Sequence, residues 1–402
     1  MLTPRRKTTT PSVSLNQDDI AKLGDLAASA NISRIHMLAW RDLADVEAGG
    51  SEIHAAMVAK LWAEAGLEVT MRTSWAQGSP TESRRDGYRV IRKAGRYMVF
   101  PRAVASEVAQ RHGERDAVVE IWNGVPFLTP LWTRQPRIVF LHHHHDKMWP
   151  LVLGPKLARL GTTLETRLAP PFYRNTPIVT LSESSKTELI QHLGFTQEQL
   201  HVVPPGVDPK FAPGEKNPTP LIVAVGRLMT SKRFELLIAL VDRLRPTHPD
   251  VELVIVGEGY EQDNLDALVR NLDAEEWVHL VGSVSDEELT DLYRRAWIVA
   301  SSSISEGWGM TLTEAAACGT PAVATDIAGH RDAVDHGVSG LLAQSDADFV
   351  THLDTVLSDP VLRAQLSAGA IDHANRFTWA ATARGALQCL VDDAHRKGHG
   401  RP

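Results

Sequence analysis

The sequence is expected to form an α/β protein of two doubly wound domains, each built on a mainly parallel sheet. Three observations lead there. Apolar, β-branched runs too short to be helices alternate with stretches of helical periodicity along most of the chain. Two of those runs lead into glycine turns that open helices, one at Gly49-Gly50 and one at Gly307 and Gly309. Between them lies Pro204-Pro205-Gly206-Val207-Asp208, followed by Pro209, Pro213, Pro218 and Pro220, and such a stretch without periodicity belongs between domains.

A length of 402 residues fits two or three domains at about 150 residues each. Hydrophobic content of 43% and charged content of 23% are ordinary for a globular chain. A net charge of −7 gives no general attraction to nucleic acid, so no nucleic-acid partner is expected. Two cysteines, Cys318 and Cys389, make no disulfide framework and suit a cytoplasmic setting. No apolar run approaches the roughly 18 residues that span a bilayer. Arg5-Arg6-Lys7 leads into threonines rather than an apolar core, unlike a secretory signal.

Residues 1–30 are polar at first and weakly helical from Asp18, and read as a flexible leader. The core begins with a strand at 34–39, then Gly49-Gly50, then a helix over 51–65 with Ile53, Met57, Leu61 and Trp62 as its buried stripe. Strands are expected at 68–72, 88–92, 117–121, 137–141 and 177–181. Over 151–174, Leu153, Leu157, Leu160, Leu164 and Leu168 recur at helical spacing beside Lys156, Arg159, Arg167 and Arg174. A domain helix with these leucines buried is the favoured reading, and peripheral contact with the inner membrane face is the lesser one. The second domain opens at 221–226 and continues through strands at 251–257, 277–282 and 297–300. Phe377, Trp379, Ala383, Leu387 and Leu390 make a final apolar helical pattern.

The most informative stretch is Glu306-Gly307-Trp308-Gly309-Met310-Thr311-Leu312-Thr313-Glu314. Its glycines let backbone approach a ligand, and a helix start offers N–H groups to an anion such as a diphosphate. Glu306 and Glu314 would repel phosphate but accept hydrogen bonds from neutral hydroxyls, such as those of a sugar and a ribose. Arg227 and Lys232 follow the strand at 221–226, and together suit a diphosphate.

The stretch resembles the paired-glutamate motif of family-4 retaining glycosyltransferases, and the likeness runs from about Ile35 to about Leu390. It implies the GT-B fold, two Rossmann-like domains facing across a cleft. The domains would then be an acceptor domain over 31–205, a nucleotide-sugar domain over 206–375 and a helix over 376–395 crossing back to the first. It implies that Glu306 holds the donor sugar, that Glu314 holds the ribose and that Arg227 and Lys232 meet the diphosphate. Gly50, Gly307, Trp308, Gly309, Met310 and Thr311 would line the donor, with Gly257, Val281 and Gly282 near the base.

His142-His143-His144-His145 ends the strand at 137–141, and strand alternation allows at most two of the four to share an ion, so no metal is expected there. The resemblance implies one functional histidine at this strand end and selects His145, with His143 and His144 in reserve. Asp346-Ala347-Asp348 has the letters of a metal-binding motif but sits where a helix begins, and reads as capping. The resulting expectation is a metal- and cofactor-independent retaining glycosyltransferase. It would take a UDP- or GDP-linked sugar as donor and a saccharide, lipid-linked or small-molecule hydroxyl as acceptor. A non-hydrolysing sugar-nucleotide epimerase of the same fold and an inactive carbohydrate-binding scaffold are the rivals.

Overall fold

The computed structural model of the protein describes residues 13–146 and 148–398. They form two compact units, one up to Gly206 together with the chain from Trp379 onward, the other Val207–Thr378.

The first unit holds strands β1 Arg34–Leu38, β2 Glu68–Thr73, β3 Glu82–Arg85, β4 Tyr88–Arg92, β5 Ala117–Ile121, β6 Arg137–Phe140, β7 Ile178–Thr180 and β8 Leu200–Val202. They lie in the order β3-β4-β2-β1-β5-β6-β7-β8, parallel throughout except for the antiparallel β3–β4 pair. β1 lies between β2 and β5, so the winding reverses beside it and the loop after β1 opens at the switch point. Helix Gly50–Glu64 begins there, and the expected stripe understates its burial. Ile53 is half-buried, whereas His54, Ala55, Ala56, Met57, Val58, Ala59, Leu61 and Trp62 are buried. The helix is enclosed on more than one side, since the Trp62 indole N–H donates to the Ala383 carbonyl on the last helix at 2.9 Å.

That last helix, Trp379–Arg396, belongs to the first unit, where the Arg137 backbone N–H donates to Asp393 at 2.8 Å. Trp379, Ala383, Leu387 and Leu390 are all buried along it, as their spacing requires.

Two expectations fail here. Residues 1–12 of the expected leader lie outside the described residues, but 17–29 are no loose leader. They form helix Gln17–Ser29, capped by Asn16 and anchored through the buried Leu23 and Ala27. The Leu15 N–H, just before it, donates to Glu64 at 3.0 Å.

The segment 151–174 is not one helix with a buried leucine stripe. It runs as Pro155–Thr163, a π-helical turn Leu164–Leu168 and a 3₁₀ turn Pro170–Tyr173. Prolines at 155, 170 and 171 break it, because each lacks the N–H that an interior turn needs. Its buried face is Ala158, Gly161, Glu165, Ala169 and Tyr173, while Leu157, Leu160 and Leu168 are exposed.

The second unit holds β9 Leu221–Val225, β10 Glu252–Val256, β11 Val278–Gly282, β12 Ile298–Ser301, β13 Ala322–Thr325 and β14 Gly340–Ala343. Their order is β11-β10-β9-β12-β13-β14, all parallel, around a core that includes Ile222, Leu237, Ile238, Leu253, Ile298 and Phe349. The winding reverses between β9 and β12, so the loops after these two strands share one switch point. The motif at Asp346 is the first turn of helix Asp346–Ser358, and the cap itself is the Ser345 hydroxyl, which accepts from the Asp348 N–H at 3.1 Å.

Candidate functional site

In the second unit the loops after β9, β12 and β13 are laced together by short backbone approaches. Gly257, after β10, has φ +142°, and a Cβ there would stand 1.9 Å from the Gly226 carbonyl oxygen. Its N–H donates to Gly282 at 2.8 Å, so Gly226, Gly257 and Gly282 form one glycine-bordered rim. Val281 beside it is 43% exposed. The Ser302 hydroxyl donates to the Lys232 and Arg233 carbonyls at 2.8 and 3.0 Å, which ties the β12 loop to the β9 loop. Gly329, with φ +84°, brings the β13 loop against Glu306, where a Cβ would meet the Glu306 carbonyl oxygen at 2.6 Å.

This lacing sets Lys232 against Glu306. Their side chains form an ion pair, and the Ser303 hydroxyl donates to the same carboxylate oxygen at 2.8 Å. Burial alone would raise the Glu306 carboxyl. The Lys232 ammonium, through its charge and its hydrogen bond, together with the Ser303 hydrogen bond outweighs it and brings it down to about 2.

His330, absent from the sequence expectations, is fully buried in the same cluster. Its Nδ1 lies 2.9 Å from the Thr325 carbonyl and its Nε2 3.3 Å from the Ser301 hydroxyl. Burial lowers its pKa, so the neutral ring donates from Nδ1 and accepts at Nε2. A histidine just after a glycine beyond a strand end was the available signal.

Helix Met310–Ala317 starts beside this cluster, with Gly309 at φ +114° as its N-cap. The first turn of any helix leaves N–H groups without intrahelical acceptors, so an anion bound there would complete it. Met310 and Thr311 are half-buried at that start. The Trp308 side chain turns inward instead. It is 3% exposed and packs edge-on against Phe377 at 4.9 Å, so only its backbone can serve a ligand. Glu314 lies one helical turn further on and accepts from the Tyr293 hydroxyl at 3.2 Å. Burial pushes its carboxyl up to about 7, against the pull of Lys210 and the Tyr293 hydrogen bond. The two carboxyls are thus shifted in opposite directions. Arg227 occupies the turn directly after Gly226.

In the first unit, Gly50 is the first residue of its helix, and Glu52 accepts from the Gly49 N–H at 2.8 Å. Strand β6 ends at Phe140, so the four histidines lie in the turn beyond it, where strand alternation does not govern their directions. His142 is buried, with Nδ1 3.0 Å from the Ser51 hydroxyl and Nε2 3.2 Å from His54. Burial pushes the His54 imidazole down to about 4 and His142 well below its ordinary value, so this pair is neutral. His144 stacks on His192 at 5.5 Å. His143 and His145 do share a side, with ring centroids 4.3 Å apart. His145 is held by a buried carboxylate, Glu165, at 2.9 Å from its Nδ1. Among the described residues, no group of three or more His, Cys, Asp or Glu could hold a metal ion.

Two doubly wound units, each with a glycine turn and helix start at its switch point, define a protein of the GT-B class. Residues 48–211 match the family model described as Glycosyltransferase Family 4, and residues 208–373 match the model described as Glycosyl transferases group 1. The chain belongs to this glycosyltransferase family.

A D-inositol 3-phosphate glycosyltransferase from Stackebrandtia nassauensis is 34% identical over 242 residues, covering 55% of either chain. The protein of that name from Corynebacterium kroppenstedtii is 34% identical over 244 residues, covering 55% of this chain and 54% of its own. The chain spans about half the length of the curated relatives it matches. Among solved structures, sucrose-phosphate synthase from Thermosynechococcus elongatus superposes with a TM-score of 0.76 at 20% identity, covering 89% of this chain and 98% of that one. HepE from Anabaena, in complex with UDP and glucose, gives 0.69 at 20% identity, with coverage of 90% and 100%. At such identities the likeness speaks for the fold.

Proposed function

We propose that the protein is a retaining glycosyltransferase that moves a hexosyl group from a UDP- or GDP-linked sugar to a hydroxyl acceptor without a metal ion or cofactor. The observation that carries this is the pairing of an ionised Glu306 with Lys232 beside a glycine-capped helix start, with Glu314 one turn further on. On donor binding Lys232 exchanges part of its contact with Glu306 for the diphosphate. Arg227, Gly50 and the helix start near Thr311 add donors for the charge that develops on the leaving group. Glu306 then accepts from sugar hydroxyls and Glu314 from the ribose. The base lies on the rim of Gly257, Val281 and Gly282, and His145 hydrogen-bonds the reacting sugar.

The acceptor is a saccharide, a lipid-linked or a small-molecule hydroxyl. The name of the curated relatives, D-inositol 3-phosphate glycosyltransferase, supports a cyclitol phosphate as one candidate in the last group. No helix among the described residues is long and apolar enough to cross a membrane. A cytoplasmic enzyme touching the inner membrane face is favoured by the exposed Leu157, Leu160, Leu168 and Phe172 among exposed Lys156, Arg159, Arg167 and Arg174. A groove of about 650 Å³ lined in part by Arg159, Arg167 and Thr163 opens along the same segment.

The test incubates UDP- and GDP-sugars with a panel of acceptors that includes a cyclitol phosphate, with excess EDTA, and reads the anomer of the product by NMR. Retained configuration in the presence of chelator supports the reading. Inverted product, or turnover abolished by EDTA and restored by manganese, refutes it. Epimerised donor without acceptor would point to the epimerase. Sedimentation with vesicles of anionic rather than neutral lipid, weakened by Leu157→Asp, tests the membrane contact.

A further inference from the structure

The Glu165 carboxylate has no solvent exposure and three donors converge on it. One oxygen accepts from the His145 backbone N–H at 3.2 Å and lies 2.9 Å from His145 Nδ1. The other accepts from the Trp149 indole N–H at 2.8 Å. Glu165 reaches this place from the π-helical turn Leu164–Leu168, where the backbone departs from the α-helical spacing on either side.

The seat around it is shaped to match. Trp149 lies so close to Gly161 and Gly124 that a Cβ at either would meet its ring at 2.7 or 2.9 Å. The His143 ring flanks His145 from another side, at 4.3 Å. Burial opposes ionisation of Glu165, but the hydrogen bonds it accepts from His145 and the Trp149 indole favour the carboxylate and lower its pKa. An ionised carboxylate only accepts, so the proton between the two groups stays on His145 Nδ1.

We infer that Glu165 is a positioning residue for His145: it fixes the imidazole as the Nδ1–H tautomer and holds the ring plane, leaving Nε2 as the working nitrogen. Trp149, Gly124 and Gly161 keep the carboxylate in place. The inference rests on the proposed role of His145 and adds the device that orients it. Without Glu165 the ring could rotate and exchange tautomers, and Nε2 would present an acceptor for only part of the time.

The test uses the full chain with ¹⁵N-labelled histidine and assigns the His145 signals by their loss in His145→Ala. An Nδ1–H tautomer in the wild type and a mixed one in Glu165→Gln are expected. Glu165→Gln should lower kcat about 10-fold or more while leaving nucleoside diphosphate affinity unchanged, with partial recovery in Glu165→Asp. In the His145→Ala background the same substitution should cost almost nothing further, because the two act as one unit. An Nε2–H tautomer in the wild type, or a Glu165→Gln loss that persists in full without His145, overturns the inference. If His145→Ala turns over normally, the role proposed for His145 fails, and the tautomer measurement alone then decides whether Glu165 fixes the ring. It also decides if Glu165→Gln does not fold.

Discussion

Glu314 allows a test in which stability and binding respond to pH in opposite directions. Burial holds its carboxyl at about 7 rather than the ordinary 4.5, so the folded protein keeps a proton that the unfolded chain has already lost. Between those pH values the unfolded state binds fewer protons, and stability falls as pH rises. The full contribution is present below pH 4.5 and is lost as pH passes through about 7. At about 1.4 kcal/mol per pH unit the interval amounts to roughly 3 kcal/mol, and the half-buried side chain's contact with solvent lowers that to about 1–3. Glu314→Gln removes the titration while keeping size and the hydrogen bond from Tyr293. The variant should therefore match the wild type near pH 4.5 and exceed its stability by about 1–3 kcal/mol at pH 8. Binding should run the other way. If the ionised carboxylate accepts from the ribose, wild-type affinity for free UDP or GDP rises through pH 7, whereas Glu314→Gln binds weakly and without that rise. Denaturant melts and calorimetry at pH 5, 6, 7 and 8 measure both. A stability difference that stays flat across this range would refute the reasoning.

Arg227→Ala and Lys232→Ala should each slow transfer by about 10²–10³, as expected when a donor to a developing oxyanion is lost, with turnover unchanged by chelator. Glu306→Gln should reduce transfer and weaken the sugar nucleotide while sparing free nucleoside diphosphate, because it also releases Lys232; equal loss for both ligands by calorimetry would contradict this. His145→Ala should reduce turnover by about 10² at unchanged diphosphate affinity, whereas His142→Ala should mainly lower the melting temperature, since His142 sits in a buried neutral pair with His54. Gly257→Ala should destabilise the second unit by about 1–3 kcal/mol, measured by denaturant melts, because φ +142° and the Gly226 carbonyl leave no place for a Cβ.

The strand–glycine–helix units were readable because their signals are local. A β-branched run, a glycine pair and a helical period lie within about 30 residues of each other, and they placed β1, β9 and β12 and the helices that follow the first and last of these. The paired glutamates were readable for the same reason. The C-terminal helix was readable from its period, since Trp379, Ala383, Leu387 and Leu390 face one way whatever they meet.

Choices between faces were not readable. Along 151–174 the leucines and the small residues are both helically spaced, and the structure buries Ala158, Gly161 and Ala169; at Gly161 a Cβ would meet the Trp149 ring at 2.7 Å. Helix Gln17–Ser29 looked loose because its partners, at Glu64 and His395, are distant in sequence. The short strands β13 and β14 are held by parallel neighbours that no local pattern announces. His330 and Glu165 carry no motif, and each acquires its role from groups that distant segments bring to it. The sequence by itself determined which residue types stand at the turns and helix starts. Only tertiary structure decided their charge states, because burial and an opposing charge set whether a carboxylate lies near 2, as Glu306 does, or near 7, as Glu314 does.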